Sequence, residues 1–125
     1  MASILVVEDS PDNLFLLRTV LELAGHHVRE LPSGEGLPNA LAEARPDLLL
    51  LDIQLPGKDG FTLLREIREQ AAGNLLVVAL TAHAMAGDRE RALAAGFDGY
   101  ITKPIDVRAF PAQVTRALAG EQVTD

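Results

Sequence analysis

Five short apolar segments alternate along the chain with segments of helical pattern. The apolar segments, which we predict to be β-strands, are residues 4–7, 27–31, 48–51, 76–80 and 99–102. The third and fourth are apolar at every position, which is typical of parallel strands covered by helices on both faces. Strict alternation of strand and helix predicts right-handed crossovers and an open, doubly wound α/β sheet.

The segments between and after these strands carry signals for helix starts and stops. We predict helices at residues 11–24, from about 38 to before Pro46, at 60–71 and 85–95, and a fifth after Asp106. Ser10 is the predicted N-cap of the first helix, and Pro11 suits its first position. Asp106 is the predicted N-cap of the fifth helix. Pro111 would then lie several residues inside it, so we expect a 3₁₀ turn or a kink there. Residues 1–120 are predicted to form the domain and residues 121–125 a polar C-terminal tail.

Chemically active side chains follow four of the predicted strands. Glu8 and Asp9 follow the first strand, Asp52 the third, Thr81 the fourth and Lys103 the fifth. Each of them alone has an ordinary explanation as loop polarity or as a helix cap. In open α/β sheets, however, ligands bind beyond the carboxyl ends of the strands. We therefore expect these five side chains to meet in one crevice.

Three acids in one crevice point to a bound cation. Glu8, Asp9 and Asp52 would repel one another strongly unless a positive ion lay between them. Oxygen ligands without nearby His or Cys favour Mg²⁺ or a similar hard ion. Such an ion can bridge to an incoming phosphoryl oxygen, while Lys103 and Thr81 bind the other oxygens. Asp52 would then be the nucleophile that forms an acyl phosphate.

Composition and charge narrow the class of protein further. The chain has 125 residues, the usual size of one domain, and no cysteine, which excludes disulfides and thiolate metal sites. The net charge is −7 and the Lys and Arg residues are scattered, which argues against direct binding of nucleic acid. No apolar run approaches the roughly 20 residues of a membrane span, and the first residues lack the pattern of a signal peptide. We therefore expect a soluble cytoplasmic protein without a membrane partner.

Four strings in the sequence together resemble the motifs of the response-regulator receiver domain, the CheY-like family. They are Val6-Val7-Glu8-Asp9, the run from Leu50 to Gly60, Ala79-Leu80-Thr81-Ala82 and Tyr100-Ile101-Thr102-Lys103-Pro104. The resemblance covers nearly the whole chain. It implies a five-stranded parallel sheet in the order 2-1-3-4-5, the flavodoxin/CheY-like (βα)5 fold. The string from Asp52 to Pro56 and the lack of an attached output domain resemble stand-alone regulators of the DivK type.

The resemblance implies a signalling protein of a two-component system or phosphorelay, and not a classical enzyme. Such a protein accepts a phosphoryl group from a histidine kinase or histidine phosphotransferase, here on Asp52, and catalyses its own Mg²⁺-dependent phosphorylation and slow dephosphorylation. It then signals by phosphorylation-dependent binding to a downstream protein. Asp9 and Asp52 would bind Mg²⁺ directly with the backbone carbonyl of Gln54. Glu8, at a position where aspartate is common, would act largely through water.

Further roles are implied for residues on the fourth and fifth strands. Lys103 would contact the phosphoryl group, next to a Lys103–Pro104 peptide bond that is expected to be cis. Thr81 would move toward the phosphoryl group and Tyr100 would swing inward behind it. This would be a population shift between two packings of the domain. The surface from the fourth helix to the fifth, around Tyr100, is the expected output surface.

Several other residues suggest a partner surface or a control of phosphoryl lifetime. Phe15 falls on the polar side of the first helix with Leu16 at its margin, and we predict that both dock the histidine phosphodonor. Gln54 and His83 each lie two residues beyond a site residue, and we hypothesise that they border the path of the water that hydrolyses the acyl phosphate. Simple exposure of these two side chains is an open alternative. Lys58 adds a cation to the loop after Asp52.

Three rival interpretations deserve comparison. A dehalogenase-type aspartyl-phosphate phosphatase needs a second acid two residues after the nucleophile, where this chain has Gln54. A flavodoxin-like cofactor binder needs a phosphate loop rich in glycine and hydroxyl groups after the first strand, where this chain has Glu8-Asp9-Ser10-Pro11. A receiver-like scaffold that is never phosphorylated stays open, although the complete set of site residues argues against it.

Overall fold

Strands and helices alternate through all the residues that the structure describes, which are 2–55, 60–70, 75–82 and 87–124 of a computed structural model. The strands are β1 (Ser3–Val7), β2 (His27–Leu31), β3 (Leu48–Asp52), β4 (Leu76–Thr81), β5 (Gly99–Thr102) and β6 (Val123–Thr124). The helices are α1 (Pro11–Leu23), α2 (Leu37–Glu43), α3 (Gly60–Gln70), α4 (Asp88–Ala95) and α5 (Phe110–Leu118). No helix within these ranges is long and apolar enough to cross a membrane.

The strands form one parallel sheet in the order β2-β1-β3-β4-β5-β6. The first five strands confirm the order 2-1-3-4-5 that the family resemblance implied. The central strand β3 has Val6 of β1 opposite Leu50 on one side and Val78 of β4 opposite the same residue on the other. All carboxyl ends of the strands therefore lie at one edge of the sheet.

The core has two layers because successive side chains of a strand point to opposite faces. Leu48 and Leu50 of β3 pack in the layer that contains Leu17 and Leu21 of α1 and Phe110 of α5. Leu49 and Leu51 pack in the other layer, which contains the α3 residues Leu63, Leu64 and Ile67. The four leucines of β3 are completely buried. The prediction of a strand covered on both faces is thus confirmed.

The C-terminal segment adds a sixth strand at the edge of the sheet. Residues 121–125 were expected to form a polar tail, but Val123 is buried and pairs with Gly99 of β5. A Cβ atom on Gly99 would lie 2.4 Å from the carbonyl oxygen of Val123. The glycine therefore permits the close approach of β6, which no local signal in the sequence indicates.

The start of α5 differs from the prediction. Asp106 does not cap this helix, because its Oδ1 accepts hydrogen bonds from the backbone N–H groups of Arg108 and Ala109 within a preceding turn. The helix begins at Phe110, with Ala109 as its N-cap. Pro111 consequently lies in the first turn, where its missing N–H has no partner to lose. The expected disturbance inside the helix therefore does not arise.

The other helices lie close to their predicted positions. Ser10 caps α1 as predicted, because its Oγ accepts a hydrogen bond from the backbone N–H of Asn13 at 3.4 Å. The predicted end of α3 beyond Gln70 and the predicted start of α4 at Met85 fall outside the described residues. The N-cap of α1 matters for the site, since it places the first turn directly behind Glu8 and Asp9.

Candidate functional site

The carboxyl ends of β1 and β3 bring three acidic side chains together. Val7 and Leu51 are neighbours across these strands, so Glu8 and Asp52 emerge next to each other from the buried part of the sheet. Glu8 is completely buried and Asp52 is 2% exposed, whereas Asp9 is exposed to solvent. Carboxylate oxygens of the three residues lie within 4.8 Å of one another. The predicted acidic crevice is therefore present at the expected edge of the sheet.

Lys103 holds the two buried acids of this crevice. Its Nζ lies 2.6 Å from Oε1 of Glu8 and 3.0 Å from Oδ2 of Asp52. The backbone N–H of Lys103 donates to the carbonyl oxygen of Thr81 at 2.7 Å, which ties the end of β5 to the end of β4. The Lys103–Pro104 peptide bond, which the resemblance implied to be cis, is cis. The direct ion pair between Glu8 and Lys103 was not predicted.

The longer side chain of Glu8 reaches several donors at once. Its Oε2 accepts a hydrogen bond from the backbone N–H of Ser10 at 3.2 Å, and its Oε1 accepts one from Nδ2 of Asn13 at 3.4 Å. The first turn of α1 thus orients Glu8 toward Lys103. Asn13 was missed by the sequence analysis, and its position in the turn after the acidic pair is the signal that could have indicated it.

Burial and mutual repulsion perturb the ionisation of the site. Burial raises the pKa of Glu8, and the carboxylate of Asp52 raises it further, although the hydrogen bond from Lys103 opposes both effects. Burial alone would lower the pKa of Lys103, but its hydrogen bonds and charge interactions with Glu8 and Asp52 outweigh burial and raise this pKa. Lys103 therefore stays charged, and the fully ionised site keeps two surplus negative charges, because three carboxylates face one ammonium group.

The donor set fits a hard divalent cation. Every potential side-chain ligand in the cluster is a carboxylate oxygen, and its two surplus negative charges equal the charge of one Mg²⁺ ion. The carboxylate of Glu8 is already bound by Lys103 and by the backbone N–H of Ser10. Asp9, by contrast, is exposed to solvent, and the carboxylate of Asp52 lies close to that of Asp9. Asp9 and Asp52 would therefore be direct ligands. Glu8 would support them from behind.

Comparison with known proteins gives the family. The sequence profile described as the response regulator receiver domain matches residues 4–115. The chain belongs to the response regulator receiver family. This receiver matches only a small part of the length of some relatives and nearly the full length of others. It is 41% identical over 121 residues to the sensor protein GacS of Pseudomonas syringae, which covers 94% of this chain but only 13% of GacS. It is 37% identical over 109 residues to the response regulator DivK of Brucella ovis, which covers 86% of this chain and 89% of DivK.

Solved structures agree with this assignment. The receiver domain of sensor histidine kinase PA1611 from Pseudomonas aeruginosa has a TM-score of 0.82 and 34% identity, with 94% of this chain and 98% of that chain covered. That structure has a magnesium ion coordinated in its active site cleft. A putative response regulator from Chloroflexus aurantiacus has a TM-score of 0.86 and 32% identity, with the same coverage of both chains. The CheY-like fold is therefore established for this receiver.

Thr81 and Tyr100 lie on the neighbouring strands β4 and β5 of this receiver. Thr81 is 2% exposed at the carboxyl end of β4, beside Leu80, whose register partner on β3 is Asp52. Tyr100 of β5 lies opposite Ala79 of β4. Its side chain is 6% exposed and belongs to the apolar layer that also contains Ala92 and Phe97. The tyrosine is therefore already directed inward.

Gln54 joins the loop after β3 to the loop after β4. Its backbone N–H donates to Oδ1 of Asp52 at 2.9 Å, and its side-chain Oε1 accepts from the backbone N–H of Ala82 at 3.3 Å. Ala82 directly follows Thr81, so one side chain links the β3 loop of this receiver to its β4 loop. His83 and Lys58, which the sequence analysis also singled out, lie outside the described residues.

The residues predicted to dock a phosphodonor lie on α1. Phe15 is 71% exposed, and Leu16 beside it is half-buried. Both lie within the first two turns of the helix, which starts immediately after the acidic pair. Phe15 is therefore open to a partner, whereas Leu16 is only partly exposed.

Proposed function

We propose that this receiver accepts a phosphoryl group on Asp52 from a phosphorylated histidine kinase or histidine phosphotransfer protein. The observation that carries the proposal is a nearly buried carboxylate with an ammonium group 3.0 Å away and two further carboxylates beside it. A structural aspartate would need the ammonium group alone. The repulsion among the additional carboxylates costs free energy unless a cation binds them. Such a cation can also bind an oxygen of a phosphoryl group.

The chemistry is transfer of a phosphoryl group between two side chains. An oxygen of Asp52 attacks the phosphorus of the phosphohistidine, the P–N bond breaks, and the histidine nitrogen leaves with its electron pair and takes up a proton. Gln54 orients the nucleophile through its N–H on Oδ1, and Lys103 stabilises the negative charge of the transferred group. A bound Mg²⁺, held by Asp9, Asp52 and the backbone carbonyl of Gln54, would supply further charge neutralisation.

Thr81 and Tyr100 would transmit the event to a downstream protein. Thr81 is the last residue of β4, and Tyr100 on the neighbouring strand β5 belongs to the apolar layer that also contains Ala92 of α4. If the phosphoryl group binds one conformation of these side chains better than the other, phosphorylation raises the population of that conformation and so changes the α4–β5 surface. Binding of a partner to that surface would then depend on phosphorylation.

The direct test is phosphorylation by a small donor. The receiver is incubated with acetyl phosphate, with Mg²⁺ or EDTA, and its intact mass is measured beside that of Asp52→Asn. We expect a gain of one phosphoryl group in the wild type with Mg²⁺ only. If neither acetyl phosphate nor phosphoramidate modifies the protein and beryllofluoride also fails to bind, phosphorylation is refuted and the scaffold interpretation is favoured.

A further inference from the structure

We propose that the C-terminal strand β6 holds Tyr100 in its inward position and thereby couples the end of the chain to the phosphorylation site. The coupling rests on the proposed function, whereas the pairing of β6 with β5 does not. β6 pairs in parallel register, with Val123 opposite Gly99 and Thr124 opposite Tyr100. It therefore lies directly beside the residue that, in the proposed function, transmits phosphorylation.

The end of α5 directs the chain back to this edge of the sheet. Gly120 has a φ of +86°, which glycine adopts without strain, and its backbone N–H donates to the carbonyl oxygen of Ala117 at 3.0 Å. The backbone N–H of Glu121 donates to the carbonyl oxygen of Arg116, also at 3.0 Å. These two bonds form the Schellman motif, in which many helices end. A single residue separates this motif from β6, so a fixed turn brings the strand to β5.

Val123 anchors β6 to the sheet. Its side chain is 1% exposed in the apolar layer that contains Ile101 and Val114, whereas residues 119–122, which precede it, are exposed. The absence of a side chain at Gly99 permits this approach, since a Cβ atom there would lie 2.4 Å from the carbonyl oxygen of Val123. Burial of an apolar side chain stabilises the pairing of the strand that carries it. Loss of this anchor is therefore expected to release β6.

The position of β6 limits where the side chain of Tyr100 can go. Tyr100 packs on the face of the sheet opposite to Val123, in the layer with Ala92 and Phe97. Without β6, β5 would be the edge strand of the described sheet, and a side chain on an edge strand can rotate past the edge into solvent. Paired strands are about 4.8 Å apart, so the backbone of β6 fills this space beside Tyr100. Attachment of β6 therefore favours the inward side chain.

Coupling to the phosphorylation site follows from thermodynamic linkage. The phosphoryl group is expected to favour the inward Tyr100, so β6 and the phosphoryl group stabilise the same packing. Release of β6 must therefore weaken the binding of a phosphoryl analogue at Asp52, and the analogue must in turn strengthen the attachment of β6. The C-terminal segment thus sets how readily this receiver is activated.

Tyr100 itself provides the readout for the role of β6, because the chain has one tyrosine and no tryptophan. Val123→Asp places a carboxylate in an apolar layer, which is so unfavourable that β6 should detach instead. We expect acrylamide to quench the tyrosine fluorescence of this variant more strongly than that of the wild type. Gly99→Ala, which pushes β6 away without a new charge, should have the same effect. Val107→Asp is the matched control, since it adds the same charge at a 46% exposed residue before α5.

Isothermal titration calorimetry with beryllofluoride and Mg²⁺ tests the coupling. Val123→Asp should bind beryllofluoride at least about fivefold more weakly than the wild type, and Val107→Asp should bind it equally well. Circular dichroism verifies that each variant is folded, and Gly99→Ala decides if Val123→Asp is not.

The two measurements separate the possible failures. Equal quenching of Val123→Asp, Gly99→Ala and Val107→Asp would overturn the role of β6, whatever the affinity for beryllofluoride. Stronger quenching with an unchanged affinity would overturn the coupling. A wild type that does not bind beryllofluoride would count against the proposed function and the coupling together, while the quenching result still decides whether β6 holds Tyr100.

Discussion

Substitution of Lys103 by methionine tests how the buried acids of the site are held in the metal-free receiver. The side chain of Lys103 is 15% exposed, and it makes ion pairs with Glu8 and Asp52, whose side chains are 1% and 2% exposed. Removing one partner from a buried ion pair costs roughly 3–5 kcal/mol. We expect a loss of about 3 kcal/mol, at the low end of that range, because Glu8 can take up a proton, as its raised pKa indicates.

Urea unfolding followed by circular dichroism at pH 7.5 measures this loss, once in EDTA and once with saturating Mg²⁺. The variant should gain more stability from Mg²⁺ than the wild type does, because the ion no longer competes with Lys103 for the same carboxylates. Arg65→Met is the matched control, since it removes an exposed cation from α3. The electrostatic reasoning fails if Lys103→Met in EDTA costs no more than Arg65→Met, or if Mg²⁺ stabilises the variant and the wild type equally.

Four further predictions concern single residues. The pKa of Glu8 is raised in the folded state, so the stability that this residue contributes is fully present below the ordinary pKa of 4.5 and is lost as pH rises through the folded pKa. Glu8→Gln should therefore make the free energy of unfolding fall less steeply with rising pH, as measured by urea unfolding without metal at several pH values. Gly99→Ala should cost about 1–3 kcal/mol, because its Cβ would meet the backbone of Val123; an unchanged urea midpoint would exclude that contact. Phe15→Ala should slow transfer from a phosphohistidine partner without slowing labelling by acetyl phosphate, and equal slowing of both reactions would contradict a docking role. Gln54→Ala should change the lifetime of the acyl phosphate, followed by loss of the added mass, whereas an identical lifetime would mean that its bond to Ala82 is irrelevant to hydrolysis.

The most accurate predictions from sequence concern features encoded by neighbouring residues. The apolar run of β3 indicates a buried strand at once, and its predicted end differs from the observed end by one residue. Ser10 followed by Pro11 indicates the start of α1 in the same local way. These signals work because hydrogen bonding and capping within an element involve residues only a few positions apart.

The less accurate predictions concern residues with two possible local roles. Asp106 is a residue type that often caps helices, but here its carboxylate accepts hydrogen bonds within the turn that precedes Phe110. Residues 121–125 are mostly polar, yet Val123 is buried beside Gly99 because β5 has an unpaired edge there. Neither choice can be made from local pattern, since each depends on which distant backbone groups are available.

The sequence by itself determined the first five strands, their alternation with helices, and therefore the set of side chains at one edge of the sheet. Glu8, Asp9 and Asp52 could be assigned to one crevice because parallel strands end together. Only the tertiary structure decided how these groups contact one another. The 2.6 Å ion pair of Glu8 with Lys103 and the link from Gln54 to Ala82 join residues far apart in sequence. Such contacts depend on side-chain reach and burial, which only the assembled sheet and its helices define.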